Sequence, residues 1–156
     1  MHAAALALKR TAFAFPGVSS AGKTTISKCA KKATVLNDEI ICIDASKKKI
    51  AIHATPFWGE MGTGPHYDRA YPLRAILFPR KARAAAHTKR ISGRAALQIL
   101  LRCCCVFGED TALCARVLEI CIRLTDEVPM ARLFFAKNAD IDAVLLSMTG
   151  RRNEAR

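Results

Sequence analysis

Residues 17–24 read Gly-Val-Ser-Ser-Ala-Gly-Lys-Thr and fit the phosphate-loop pattern G-x-x-x-x-G-K-[S/T] at every fixed position. An apolar run precedes this stretch and a predicted helix follows it, as the pattern requires. Glycine at both ends lets the backbone curl so that its N–H groups face inward. We therefore expect Lys23 to reach the β- and γ-phosphates of a nucleotide and the Thr24 hydroxyl to bind Mg²⁺. A glycine turn that matches by chance is the alternative, and the flanking elements argue against it.

Short apolar runs and turn residues surround the motif. Residues 3–8 and 11–15 predict a β-hairpin before it, and residues 22–32 predict a helix after it. Further strands are predicted at residues 33–36, 39–43, 50–54, 73–78 and 131–136, and further helices from Ser92 to about Val106, from Asp110 to about Val128 and over residues 140–148. This order predicts one mixed α/β domain over residues 1–156, built around a single sheet.

Two segments have no regular apolar pattern. Residues 55–68 are rich in glycine and proline and predict a functional loop. Within this loop, Phe57 and Trp58 are candidates to cover an adenine or contact a substrate, or to pack the loop onto the sheet. Residues 79–91 are basic and small, and we expect them to form a mobile segment.

The net charge of +12 is unevenly distributed along the 156 residues. Residues 1–37 hold six bases and no acid, and residues 69–108 hold nine bases and no acid. Residues 38–68, between these blocks, hold five acids and three bases. This pattern suits either a nucleic-acid surface or a pocket for a polyphosphate and its metal. No aromatic interleaving or nucleic-acid motif accompanies the bases, so nucleic-acid binding ranks last.

Composition also excludes several classes of protein. Half of the residues are apolar, which excludes a disordered basic tail, and no apolar run approaches the roughly twenty residues of a membrane-spanning helix. The N-terminus lacks a basic segment ahead of its apolar stretch, which argues against a secretory signal. The seven cysteines, including the run at residues 103–105, show no CxxC spacing and predict reduced, mostly buried thiols in a cytoplasmic protein. A redox or metal role for that run is the minor alternative.

Asp38 and Glu39 form an adjacent carboxylate pair at the end of the strand predicted at residues 33–36. Phosphoryl transfer needs one carboxylate to hold or neighbour the metal and another to orient or deprotonate the attacking hydroxyl. An ordinary acidic turn is the other interpretation. The phosphate-loop pattern fourteen residues earlier favours the functional one.

The order of these pieces resembles the HPr kinase/phosphorylase-like family, whose P-loop core is shared with phosphoenolpyruvate carboxykinase. The resemblance covers most of the chain and is carried by residues 2–5, the hairpin, residues 17–24, 36–40, 55–60, 72–78 and 128–135. It implies an α/β fold with the mixed-sheet P-loop kinase core of this family. It also implies an ATP-dependent, Mg²⁺-dependent kinase that phosphorylates a hydroxyl of a protein, a peptide or a small molecule.

The resemblance implies roles for individual residues. The nucleotide phosphates would bind to Gly17, Ser19, Ser20, Ala21, Gly22, Lys23, Thr24 and Thr25. Mg²⁺ would lie among Thr24, Asp38 and Glu39, and Asp38 would take the proton from the substrate hydroxyl. His2 corresponds to a family histidine near the transferred phosphate and completes the expected catalytic set with Lys23 and Asp38. Relatives of this type form oligomers, so a homo-oligomer is expected as well.

Three departures from the family pattern leave an alternative open. Ser20 stands where the family usually has glycine, so its Cβ could restrict a backbone that needs positive φ. Glu39 replaces a second Asp, and relatives carry a region before His2 that this chain is expected to lack. A catalytically degenerate nucleotide-binding regulator is therefore the second hypothesis.

Basic residues beyond the motif are candidate ligands for the γ-phosphate or for an acidic substrate. They are Arg69, Arg74, Arg80, Lys81 and Arg83. The stretch at residues 79–94 is the candidate docking surface for the phosphoacceptor.

Overall fold

The apolar runs on both sides of the glycine motif form strands of one mixed sheet in a computed structural model, which describes residues 1–62, 69–106 and 110–149. The strands in this part of the chain are β1 Ala3–Leu8, β2 Thr11–Pro16, β3 Thr34–Asn37, β4 Cys42–Asp44, β5 Ala51–His53, β6 Tyr71–Lys81, β7 His87–Arg90 and β8 Met130–Phe135. The helices are α1 Lys23–Cys29, α2 Gly93–Cys103, α3 Thr111–Glu127 and α4 Ile141–Thr149. The coarse prediction of an α/β protein with a mixed sheet is confirmed.

The hairpin of β1 and β2 lies inside the sheet, whose order is β3-β1-β2-β6-β5-β4. Strand β8 pairs with β6 along one edge and with β7 along its other edge. Strands β2, β6 and β8 are parallel, and the other pairs are antiparallel. The carboxyl ends of β2, β6 and β8 therefore meet at one edge of the sheet, where ligands of open α/β sheets commonly bind.

Helices cover both faces of the sheet, which explains why β1 and β2 are continuous apolar runs rather than alternating ones. One core includes Ala3, Ala5 and Ala7 of β1, Ala96 and Leu100 of α2, and Cys121 and Leu124 of α3. The opposite core includes Ala4, Leu6 and Leu8 of β1, Ile26 and Ala30 at α1, and Ile141 and Leu145 of α4.

The segment predicted to be mobile, residues 79–91, contains paired strands. Strand β6 continues to Lys81, and β7 pairs antiparallel with β8 over four residues. His87 stacks on Phe134 of β8, with ring centroids 5.1 Å apart. Every residue of β7 is exposed, so this strand has no apolar alternation by which it could be predicted.

The helix starts in the second half of the chain were predicted correctly. The Ser92 hydroxyl accepts a hydrogen bond from Ala95 N at the start of α2, and the Asp110 carboxylate accepts from Ala112 N and Leu113 N at the start of α3. The first helix is shorter than predicted, since α1 ends at Cys29.

The cysteine prediction was correct in part. All seven thiols are free, but only Cys103 and Cys121 are buried, so the expectation of mostly buried thiols was wrong. Helix α2 ends at Cys103, so Cys104 and Cys105 lie beyond it rather than on it.

A helix that crosses a bilayer needs about twenty predominantly apolar residues. Within the described ranges, no helix has the length and apolarity needed to cross a membrane.

Candidate functional site

Three of the predicted motifs meet at one edge of the sheet because of how β1 is paired. Antiparallel pairing places the end of β2 and the end of β3 beside the start of β1. Gly17 N donates to His2 O at 3.3 Å, and Ala3 N donates to Glu39 O at 3.0 Å. The glycine motif, His2 and the carboxylate pair are thus neighbours, although up to 37 positions separate them in the chain.

The glycine loop, residues 17–22, needs its glycines for two different reasons. At Gly17, an added Cβ would lie 2.7 Å from the Ala21 Cβ, which is too close. At Gly22, φ is +104° and an added Cβ would lie 2.7 Å from Cζ of Phe135 at the end of β8. The loop is therefore tight within itself and pressed against the sheet edge.

Ser20 adopts a backbone conformation with positive φ, which the family resemblance had put in question for a residue with a Cβ. Its φ is +66°, in the left-handed region that costs a residue with a Cβ about 1 kcal/mol. The loop therefore keeps its bend without the usual glycine. The price is local strain at one exposed serine.

Lys23 is the charged centre of the loop. Its side chain is 6% exposed, and its Nζ donates to the carbonyl oxygens of Gly17 at 3.2 Å and Val18 at 3.4 Å. Both bonds are at the long end of the hydrogen-bonding range. Across the described residues, no carboxylate pairs with this ammonium group. A buried cation usually has an acidic partner, so this lysine retains the capacity to bind an anion.

Two hydroxyl groups beside Lys23 are uncommitted. Thr24 and Thr25 are half-buried in the first turn of α1, and neither side chain makes a hydrogen bond within the described part of the chain. Ser19 and Ser20 are exposed and Ala21 is half-buried. These positions agree with a loop that is open on its outer side.

Asp38 is fully buried, and it is held by a loop that the sequence did not connect to it. Its Oδ1 accepts from Gly59 N at 2.8 Å and its Oδ2 from Met61 N at 3.0 Å. We call residues 55–62 the covering loop; the remainder of the predicted loop, residues 63–68, lies outside the described residues. The glycine-rich composition predicted a functional loop here. Its amide contacts with Asp38 could not be predicted, because they depend on tertiary structure.

Asn37 fixes the turn that presents the two carboxylates. Its Oδ1 accepts from the backbone N–H groups of Glu39 at 2.7 Å and Ile40 at 3.0 Å, and its Nδ2 donates to Thr55 O at 2.9 Å. One buried amide therefore ties the carboxylate pair to the start of the covering loop. Sequence reasoning did not single out Asn37.

Glu39 and His2 face each other beside the buried Asp38. His2 Nε2 lies 3.0 Å from Glu39 Oε1, within ion-pair distance but outside the angular range of a well-formed hydrogen bond. Burial and then the positive charge of Lys23 lower the pKa of His2 below its ordinary value of 6.5, while Glu39 acts in the opposite direction. His2 is therefore a neutral imidazole near pH 7.

Gly59 of the covering loop lies directly over the carboxylate pair. A Cβ at this position would lie 2.9 Å from Glu39 Oε2 and 3.1 Å from Asp38 Oδ2. Only a glycine allows the loop backbone to approach both carboxylates this closely.

The oxygen ligands available for a metal are few. In the described ranges, no three side chains among His, Cys, Asp and Glu are grouped so that they could hold an ion. Mg²⁺ commonly uses one or two carboxylates together with phosphate oxygens and waters, so it needs few ligands from the protein itself. Asp38 already accepts two backbone hydrogen bonds.

The predicted basic candidates separate into two groups. Lys81, at the end of β6, is exposed and lies beside the glycine loop, with its Cε 3.6 Å from the position of a Cβ on Gly22. Arg69 lies over the Tyr71 ring and donates to its hydroxyl, and Arg74 donates to Met148 O at 3.0 Å. Arg80 and Arg83 are exposed as well, but Arg80 is adjacent to Lys81 in β6 and so points to the opposite face of the strand. Among these five candidates, Lys81 is the one that the structure places beside the glycine loop.

The two aromatic candidates differ in exposure. Phe57 is 62% exposed, so it does not pack the covering loop onto the sheet, whereas Trp58 is half-buried. Contact with a ligand therefore stays the hypothesis for the exposed Phe57 side chain.

Comparison with known proteins adds no relative to this description. No protein-family model, curated protein or solved structure matches the chain.

Proposed function

We propose that residues 17–25 bind the phosphate groups of a nucleoside triphosphate, with Mg·ATP as the nucleotide. One observation carries the proposal: the buried ammonium group of Lys23 lies inside a strained glycine loop and contacts only two carbonyl oxygens there. A desolvated cation is stabilised by an anion, and a loop with left-handed residues presents backbone N–H groups to one. Phosphate oxygens would replace the carbonyl contacts of Lys23.

Other side chains around the loop could neutralise the negative phosphate charge that Lys23 leaves. Thr24 and Glu39 would hold Mg²⁺, which when bound neutralises phosphate charge. Lys81 is close enough to the loop to add a further positive charge. The positions of the two glycines are those of the phosphate-loop pattern, and both need glycine, because added Cβ atoms at Gly17 and Gly22 would collide with their surroundings.

We further propose that the bound nucleotide donates its γ-phosphate to a hydroxyl group, as in HPr kinase-like proteins. Asp38 would accept the hydroxyl proton, which requires Gly59 and Met61 to move away from its carboxylate. His2, which is 25% exposed, would position Glu39 and remain uncharged beside Lys23. A protein, a peptide or a small molecule would supply the hydroxyl.

A specific observation favours a second function, nucleotide binding without transfer. Asp38 is fully buried and both of its oxygens are already engaged by backbone amides. If the covering loop stays in place, this carboxylate serves the structure and not the reaction. The chain would then act as a nucleotide-dependent regulator.

The basic ribbon, residues 80–90 at the ends of β6 and β7, is our candidate surface for the acceptor. Arg80, Lys81, Arg83, Lys89 and Arg90 are exposed there, and no carboxylate in the described ranges pairs with any of them. Because the ribbon starts beside Gly22, an acidic acceptor bound to it would lie near the phosphate site. Affinity for nucleic acid that falls steeply with salt and is insensitive to ATP would instead favour a nucleic-acid role for the ribbon.

The deciding experiment is incubation of the chain with γ-labelled Mg·ATP and a library of hydroxyl-containing peptides. We expect label transfer by the unchanged protein and its loss in Asp38→Asn, with ATP affinity retained in calorimetry. Asp126→Asn, an exposed carboxylate on α3, is the matched control and should transfer normally.

The outcomes separate the two functions. ATP binding with no transfer to any acceptor would support the regulator, and full turnover by Asp38→Asn would remove Asp38 from the proton-accepting role. Absence of nucleotide binding in the unchanged protein would overturn both functions.

A further inference from the structure

Two cysteines are in contact at the C-terminal end of α2. Cys104 follows the last residue of α2, and Cys121 lies on α3; their sulfur atoms are 3.5 Å apart. Both thiols are free. All seven cysteines lie in the described ranges, and no other two of them are in thiol–thiol contact there.

The two thiols differ in access and in acidity. Cys121 is completely buried, whereas Cys104 is half-buried. A hydrogen bond from the Cys121 thiol lowers the pKa of Cys104 to about 7, and the same bond together with burial raises the pKa of Cys121. Cys104 is thus the thiol that an oxidant in solution reaches first, and Cys121 lies buried behind it.

We propose that Cys104 and Cys121 form a redox-active dithiol site that hydroperoxides oxidise to a reversible intramolecular disulfide. The proposal does not depend on the proposed function, although the residue before Cys104 accepts a hydrogen bond from His2 N. Cys104 belongs to the run at residues 103–105, but its partner lies outside that run, on α3.

The reaction has two balanced steps. With hydrogen peroxide, the Cys104 thiolate attacks one oxygen, so that an S–O bond forms and the O–O bond breaks. The hydroxide that leaves takes up the proton that Cys104 lost on ionisation and becomes water. Cys121 then loses its proton and attacks the Cys104 sulfur, forming the S–S bond and releasing the second water. Two thiols are oxidised and one hydroperoxide is reduced.

The backbone around Cys104 permits this closure. The sulfur atoms must approach by about 1.5 Å to reach a disulfide bond length. Cys104 is the C-terminal cap residue of α2, and its backbone is extended. Helical hydrogen bonds therefore do not constrain the chain after it. The preceding residue is anchored, because Cys103 O accepts from His2 N at 2.7 Å. Movement can therefore be confined to Cys104 and the residues after it.

The test is oxidation of the reduced full chain with one equivalent of hydrogen peroxide, followed by thiol counting and peptide mapping. We expect free thiols to fall from seven to five per chain and to return to seven with dithiothreitol. After alkylation and trypsin digestion, residues 117–123, which contain Cys121, should be linked to residues 103–116. Fragmentation should assign the bond to Cys104 and not to Cys103, Cys105 or Cys114.

Single substitutions complete the test. Cys104→Ser should leave Cys121 fully alkylated after peroxide, and Cys42→Ser, which removes an exposed thiol on β4, should still lose two thiols. Because the linked peptide is sought in the unchanged chain, a misfolded variant cannot decide the outcome. Full alkylation of Cys121 in the oxidised unchanged chain, or links mainly between two molecules, would overturn the proposal.

Discussion

The glycine loop and the covering loop each hold one buried charged side chain with backbone groups, and they do so with opposite polarity. In the glycine loop, carbonyl oxygens of Gly17 and Val18 contact the Lys23 ammonium at 3.2 and 3.4 Å. In the covering loop, amide N–H groups of Gly59 and Met61 contact the Asp38 carboxylate at 2.8 and 3.0 Å. Both side chains were candidates for phosphoryl-transfer chemistry from sequence.

The difference in contact length indicates a difference in availability. The bonds of Lys23 are long and involve neutral acceptors, so phosphate oxygens can replace them at little cost. The bonds of Asp38 are short, and the carboxylate is fully buried under Gly59. The group proposed to bind phosphate is thus held less tightly than the group proposed to accept the proton, and this asymmetry is why binding and transfer must be tested separately.

The largest effect is expected when the cation of the glycine loop is removed. Lys23→Ala should raise the Kd for Mg·ATP about 100-fold, because a buried charge-assisted contact to phosphate is lost. Isothermal titration calorimetry measures this directly. Lys28→Ala, an exposed lysine on the same helix, should change the Kd by less than about twofold. An unchanged affinity in Lys23→Ala would end the claim that this loop binds phosphate.

A smaller effect is expected when the covering loop is lifted from the carboxylates. Gly59→Ala should lower the free energy of unfolding by about 1–2 kcal/mol, because its Cβ meets the held Asp38 carboxylate and Glu39. Gly93→Ala is the control, since its Cβ enters open space at the start of α2 and should slightly stabilise the protein. Urea unfolding compares the two variants, and equal stabilities would mean that the covering loop is not held against the carboxylates.

The smallest effect concerns His2, which lies between the two loops. Its folded-state pKa is below 6.5, so its contribution to stability is present above that pH and is lost as the pH falls through about 6.5 toward the folded-state pKa. His2→Gln should therefore show a shallower loss of stability between pH 7 and pH 5.5. In Lys23→Ala, removal of the neighbouring positive charge should raise the pKa of His2, as followed by NMR titration. No pKa change would mean that Lys23 and His2 are not electrostatic neighbours.

The parts of the fold that could be predicted from sequence are those with a strong local pattern. The apolar runs of β1 and β2, the glycine motif and the caps Ser92 and Asp110 each carry their own signal within a few residues. The positive φ of Ser20 is a different case, because the expectation there rested on the family resemblance and a serine by itself carries no such signal.

Other features have no local signal because the interacting groups are distant in the chain. Strand β7 is exposed on every residue and exists through its pairing with β8, more than forty positions later. Asp142 of α4 is buried and accepts from the backbone N–H groups of residues 31–33 at 2.6 to 3.2 Å, and nothing near it in sequence indicates that contact. The contact of Cys104 with Cys121 is of the same kind.

The sequence by itself determined which residues carry the candidate chemistry: a glycine loop with one lysine, a carboxylate pair and a histidine at position 2. It did so because bends, charge and hydrogen-bonding capacity are properties of residue types at fixed spacing. Only the tertiary structure decided how those groups are engaged. Strand pairing brings His2, Gly17 and Glu39 together. The amides of the covering loop bind Asp38, whereas Lys23 contacts the carbonyl oxygens of Gly17 and Val18. Such choices depend on backbone atoms far away in the chain, whose positions are set by the packing of the whole sheet.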